Sequence, residues 1–185
     1  MTGVATMPMS RPLTLEDFEA IRDAADDGHR YELIDGSLIV TPSPTWLHQV
    51  VSSRLLVLLA QTIPEPDRYA VLHAPYDVRL SDTSTVQPDL MVFDTSDGEP
   101  RLPLLAIEIL SPSTRHIDTG LKWSRFAAAG IQHFWIVDPD APTFTAWELR
   151  EGRYVVAAEA VGDQSVTVPT PWPVTISPAS LTQAG

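Results

Sequence analysis

The alternation of apolar and polar positions divides the chain into helical and extended segments. Thr14-Leu15-Glu16-Asp17 reads as a capping-box start, and a helix follows to about Ala25, ended by Asp26-Asp27-Gly28. Arg30 to Ile34 alternates as a strand, Asp35-Gly36 is a two-residue hairpin signal, and Ser37 to Thr41 is the return strand. Ser43 is placed as a cap, with Pro44 at the first helical position. The helix behind it runs to about Ile63, with Leu47, Val50, Val51, Leu55 and Leu58 at helical spacing.

After a turn over Pro64 to Asp67, Tyr69 to His73, Tyr76 to Leu80 and Pro88 to Phe93 read as short strands. Leu102 to Leu110 is the most apolar segment and reads as a central, buried strand. Ser111-Pro112-Ser113-Thr114 is a loop leading into a helix from about Arg115 to Ala129, stopped by Gly130. Gln132 to Val137 is a buried strand closed by Asp138-Pro139, and Thr143 to Leu149 and Arg153 to Ala158 form a hairpin across Glu151-Gly152. A proline-rich tail with short strands follows from Asp163. Residues 1–12 read as a disordered lead-in and 13–185 as one domain, with no internal repeat or dividing linker. The order predicts an α/β chain with a mixed central β-sheet flanked by α-helices.

Composition adds four constraints. With 185 residues, 44% apolar and 19% charged, the chain is globular rather than disordered. It has no cysteine, so disulfides, thiolate metal sites and cysteine nucleophiles are excluded. The first ten residues lack a basic and then apolar leader, and no apolar run is long enough to span a bilayer, so a cytoplasmic protein without membrane contact is expected. The net charge of −12 argues against a generic basic sheath for phosphate backbones, although a local basic groove stays open. Eleven of the twelve basic residues are arginine, and Lys122 is the only lysine. Arginine-biased codon usage and a functional hold on Lys122 both fit that inventory.

Three segments hold candidate chemistry. Glu108 is the only charge in LPLLAIEIL, and a buried carboxylate must be paired, protonated or bound to metal. Asp89 opens a short apolar strand, where a lone aspartate is commonly a turn or cap residue. Two carboxylates converging from neighbouring strands would instead suit Mg²⁺ or Mn²⁺. On the next helix, Asp118, Lys122 and Arg125 are spaced to share a face, which on its own is an ordinary solvated pairing. Trp123, Phe126, Phe134 and Trp135 read as core or interface, and Asp138 before Pro139 as a strand-ending turn.

Taken together, Pro88-Asp89 and, about twenty residues later, Glu108 in an apolar strand resemble the PD-(D/E)xK nuclease superfamily. The finer series runs Tyr31-Glu32-Leu33-Ile34-Asp35-Gly36, Pro42-Ser43-Pro44 with His48, Pro88-Asp89, Glu108-Ile109-Leu110-Ser111-Pro112-Ser113-Thr114, Asp118 with Lys122, and Phe134-Trp135-Ile136-Val137-Asp138-Pro139. In order and spacing it resembles the Uma-type putative restriction endonuclease family of bacteria, over about residues 14 to 155. The resemblance implies a restriction-endonuclease-like core. It also implies a Mg²⁺ (or Mn²⁺) site formed by Asp89, Glu108 and the main-chain carbonyl of Ile109, with Glu32 and His48 lining the same cleft. The superfamily's lysine two residues after the glutamate is Leu110 here, and Lys122 on the next helix takes its place.

The expectation is a Mg²⁺-dependent endonuclease hydrolysing phosphodiester bonds of nucleic acid, DNA in the first instance, as a homodimer. In that reading Lys122 positions the attacking water or stabilises the transition state, and Lys122→Ala abolishes cleavage with the fold intact. Two alternatives stand beside it: a catalytically inactive nuclease-fold interaction module, and a metal hydrolase of another phosphate ester. No helix-turn-helix, zinc finger or basic arm marks a substrate sequence.

Overall fold

The computed structural model describes residues 11–25 and 27–183. The lead-in expected over 1–12 lies outside them except for Arg11 and Pro12. Arg11 forms an ion pair with Asp17, and Pro12 packs against Gly36.

The first helix, α1 (Leu15–Ala24), starts on the predicted capping box between Thr14 and Asp17 and buries Phe18. Strands β1 (Arg30–Ile34) and β2 (Ser37–Thr41) form the predicted hairpin. Its two turn residues, Asp35 and Gly36, both take positive φ (51° and 74°), which matches the right-handed twist of the strands. Helix α2 (Trp46–Thr62) is capped by Thr45, two residues later than expected; the Thr45 hydroxyl accepts from the His48 amide, and Pro42 to Pro44 stay outside the helix. Its buried stripe is His48, Val51, Leu55 and Leu59, rotated from the one the apolar residues suggested, because a histidine occupies a core-facing position.

Strands β3 (Tyr69–His73), β4 (Val78–Ser81), β5 (Ser84–Val86), β6 (Leu90–Asp94) and β7 (Leu105–Ile109) follow. The short β5 was not expected, since Ser84 and Thr85 carry no apolar alternation. The predicted helix over 115–129 is two pieces: a π-helical segment (Ile117–Lys122) and then α3 (Trp123–Ala129), which ends at Gly130 with φ 89°. Strands β8 (His133–Asp138), β9 (Thr143–Arg150) and β10 (Arg153–Val161) follow, and the tail adds β11 (Val166–Val168), β12 (Val174–Ile176) and an unpredicted helix α4 (Pro178–Thr182).

The main sheet has six strands in the order β10-β9-β8-β7-β6-β3. Only β7 and β8 run parallel, joined by the crossover through the π-helical segment and α3; the other pairs are antiparallel. The sheet is therefore mixed and flanked by helices, as expected. A smaller antiparallel sheet, β2-β1-β5-β4, carries the hairpin. One face of β6 and β7 (Leu90, Val92, Leu105, Ile107, Ile109) packs with α2 and the tail; the other (Met91, Phe93, Ala106) packs with α3 and the small sheet. Trp135, Phe126 and Phe134 are buried in these two cores, as the sequence suggested. At roughly 25 cal/mol per Å² of apolar surface buried, these two faces hold the geometry of everything between them.

Candidate active site

The antiparallel register of β6 and β7 pairs Leu90 with Ile107, so its next step sets Asp89 across from Glu108. Cross-strand neighbours share a face of the sheet, and two carboxylates thus meet at one end of it. Glu32 reaches the same place from the small sheet, and Asp118 and Lys122 from the π-helical segment. Three of the four acids and the lysine are at most 2% exposed, and Asp89 is 4% exposed.

Around Lys122 the geometry is tight. Its ammonium lies 2.9 Å from Glu32 Oε1, 3.0 Å from Glu108 Oε1 and 3.5 Å from Asp118 Oδ1. Glu32 Oε1 also accepts from the Gln87 amide at 2.7 Å. Burial pushes the Lys122 pKa down, but the charges of Glu108 and Glu32 more than offset it and hold the lysine protonated. The carboxylate Oε2 of Glu108 and the Oδ1 of Asp118 are buried without a hydrogen bond. Burial, with the neighbouring acids, raises both groups above the usual carboxylate range in spite of Lys122.

Asp89 is held differently. Its Oδ1 accepts from Arg30 at 2.8 Å; its Oδ2 accepts from the Ile109 amide at 2.8 Å and contacts His48 Nε2 at 3.1 Å. Burial works to raise Asp89, but the hydrogen bond with His48 and the charge of Arg30 outweigh it and hold the carboxyl below the usual range. Arg30 is a neighbour of Asp89 that sequence reasoning did not place there. The signal was present: Arg30 and Glu32 are two apart on one strand and so face the same way.

The arrangement has two storeys. A cleft of about 600 Å³ is lined by Arg30, His48 and Asp89, with Thr45, Gln87 and Thr114 around them. Lys122, Glu108 and Glu32 do not line it and form the layer beneath. Among the described residues the lining includes Arg22, His29, Arg30, His48 and His73 but a single acid, Asp89. Its two arginines are already engaged, Arg22 with Asp77 and Arg30 with Asp89.

All five side chains singled out in the sequence (Glu32, His48, Asp89, Glu108, Lys122) thus meet at one sheet end. Arg125 does not join them. It pairs with Asp35 in the hairpin turn at 2.6 Å, half exposed, because the wider π turn rotates the helix beyond it. Asp138 is a turn residue, accepting from the amides of Asp140 and Ala141 and pairing with Arg115 at 2.5 Å.

Whether a hard divalent cation fits can be judged from the donors. Among the described residues, no three acidic or histidine side chains form a ready cage. Mg²⁺ does not require one, since it binds through one or two carboxylates and keeps several waters. Four buried acids (Glu32, Asp89, Glu108, Asp118) face two permanent cations (Arg30, Lys122), a formal excess of two negative charges if all four are ionised. Glu108 Oε2 has no partner to lose. The donor set fits a divalent ion on Asp89 and Glu108, with Arg30 the cation it would displace from Asp89.

Residues 15–180 match the family model Uma2, described as "Putative restriction endonuclease". A solved structure described as a putative nuclease belonging to DUF820, from Anabaena variabilis ATCC 29413, is similar over 92% of this chain and 98% of that one, with 22% identity and a TM-score of 0.69. At that identity the likeness shows the fold. No curated protein matches the sequence significantly. No helix among the described residues is long and apolar enough to cross a membrane.

Proposed function

This chain belongs to the Uma2 family of putative restriction endonucleases, and from that premise we propose that it is a Mg²⁺-dependent endonuclease acting on nucleic acid, DNA in the first instance. The observation that carries the reading is the surplus of two buried acids over cations beneath a cleft that holds Arg30 and Asp89, with Glu108 Oε2 left without a partner. A phosphodiester brings negative charge to Arg30. Asp89, Glu108 and the Ile109 carbonyl would hold the metal. When bound, Mg²⁺ or Mn²⁺ supplies Lewis-acid polarisation of the phosphoryl oxygen and a water of lowered pKa.

The protein's own residues have separable tasks in this reading. Arg30, at the cleft surface, exchanges Asp89 for a phosphate oxygen and stabilises charge there. His48 fixes Asp89 through Nε2. Lys122 lies under the cleft and in this reading is a positioning residue, holding Glu108 and Glu32 in place through its ammonium. Assembly as a homodimer remains part of the proposal.

Calorimetric titration of Mn²⁺ into the wild type and into Asp89→Asn/Glu108→Gln is the first test. Binding by the wild type alone is expected, followed by metal-dependent cleavage of DNA. A folded wild type that takes up no Mn²⁺ would sink the metal reading. One observation favours a second reading, a nuclease-fold interaction module: Asp89 already has Arg30, His48 and the Ile109 amide as partners. That reading predicts partner binding unchanged in Asp89→Asn.

A further inference from the structure

We propose that Arg30 is a built-in counter-ion of Asp89 which a divalent cation must displace, so that metal and nucleic-acid strand bind cooperatively, the metal first; the inference rests on the nuclease reading and adds a regulation to it. The two oxygens of Asp89 are not equivalent. Oδ2 is engaged twice, by the Ile109 amide at 2.8 Å and by His48 Nε2 at 3.1 Å. Oδ1 has one partner, Nη1 of Arg30 at 2.8 Å. A cation arriving at Asp89 therefore meets the guanidinium at the less engaged oxygen. Asp89 is 4% exposed, and two positive groups on one oxygen repel strongly where so little water screens them, so the guanidinium has to give way.

Arg30 is held in a manner that lets it do so. Among the described residues its only other hydrogen bond runs from the same Nη1 to the Gln87 carbonyl, at 3.4 Å. Its Nε is buried without a partner. A guanidinium has five N–H donors, and the bond to Asp89 uses one of them. The side chain is 21% exposed and lines the cleft. Arg22, the other arginine of the lining, is paired with Asp77, which is no part of the carboxylate cluster, and so stays outside the exchange.

The exchange changes the charge that the cleft offers. Arg30 and Asp89 cancel as they stand, and Asp89 is the only acid among the described lining residues. A polyanion approaching this chain of net charge −12 finds no unpaired arginine there. Once Asp89 holds a divalent cation, the same wall is positive and the fork of Arg30 is open to a phosphate. Each ligand then raises the affinity for the other by the same factor.

The test begins with calorimetric titration of Mn²⁺ into the wild type and into Arg30→Met, without nucleic acid. Arg30→Met is expected to bind Mn²⁺ about tenfold more tightly or better, the scale of one charge-assisted hydrogen bond that no longer has to be broken. An arginine that merely supported the fold would give no such gain. Fluorescence anisotropy of a labelled phosphorothioate DNA duplex, checked on a gel for intact length, supplies the other half. Without metal, the wild type and Arg30→Met should bind it equally weakly. With saturating Mn²⁺ the wild type should gain about tenfold, and Arg30→Met only a fraction of that. Arg30→Gln, which keeps an amide donor for Asp89, carries the same expectations should Arg30→Met not fold. Three results overturn this inference and leave the nuclease reading standing: Mn²⁺ bound no more tightly by a folded variant, metal-free DNA bound more weakly by the variant than by the wild type, or an equal gain with Mn²⁺ in both. No Mn²⁺ uptake by wild type or variant overturns both.

Discussion

Replacing Lys122 by methionine is expected to lower the thermal midpoint by about 10 °C, read by circular dichroism or scanning fluorimetry. Among the described residues the ammonium is the only cation within 3.5 Å of Glu32, Glu108 and Asp118, and all four groups are at most 2% exposed. Removing one partner of a buried pair costs about 3–5 kcal/mol because the other charge stays buried. In a chain of this length each kcal/mol moves the midpoint by roughly 2–4 °C. Methionine keeps the volume, so the loss reads the charge. Adding Glu108→Gln to Lys122→Met should recover part of it by removing one stranded carboxylate. A single variant melting within about 2 °C of the wild type would contradict the buried cluster. The sequence-based expectation that Lys122→Ala abolishes cleavage with the fold intact is accordingly revised: lost cleavage in such a variant speaks for catalysis only after correction for the folded fraction.

The second large effect has the opposite sign. Glu108→Gln is expected to melt a few degrees above the wild type at neutral pH while losing Mn²⁺ binding. Lys122 keeps Glu32 at 2.9 Å and Asp118 at 3.5 Å, so it is not stranded. A glutamine oxygen still accepts from it, and the excess of buried negative charge falls from two to one. The pH dependence gives an independent check. Burial raises Glu108 and Asp118 in the fold, so the folded chain holds their protons more firmly than the unfolded one. Their contribution is fully present below the unfolded carboxylate pKa, about 4.5 for Glu and 3.8 for Asp, and is lost as pH rises through the raised folded values. Asp89, lowered, works the other way and loses its contribution as pH falls toward acid. In Glu108→Gln the decline in stability from mildly acidic to neutral pH should flatten. An unchanged slope with a lowered midpoint would mean that Glu108 is fully compensated by Lys122, and that no charge is waiting for a metal.

Much of this was legible in the sequence, for definite reasons. The hairpin at Asp35-Gly36 and the stop at Gly130 depend on backbone angles that few residues take easily, so the residues announce them. The site was legible because charges are rare inside apolar strands, and Glu108 stands in one. What escaped were effects that depend on neighbours. β5 is a strand because β1 and β4 pair with it, not because Ser84-Thr85-Val86 alternates. The start of α2 moved to Thr45 because a hydroxyl reached the His48 amide there. Arg30 went unremarked because its partner, Asp89, is 59 residues away. The division into an open cleft and a sealed layer beneath it could not be read at all, since depth is a property of packing.

The π-helical segment bears on how this protein can change over time. Asp118 and Lys122 point into the sealed layer from either end of a stretch whose hydrogen bonds span one residue more than those of an α-helix. Losing one residue between them would let the stretch relax into an ordinary helix and leave the pair three apart, a spacing that still shares one face. The residues between them, Thr119-Gly120-Leu121, can therefore change in letters at exposed positions, and even shorten by one, while both groups still reach the buried layer. In this stretch a frame-preserving deletion of one codon would do less damage than a missense change that removes Asp118 or Lys122.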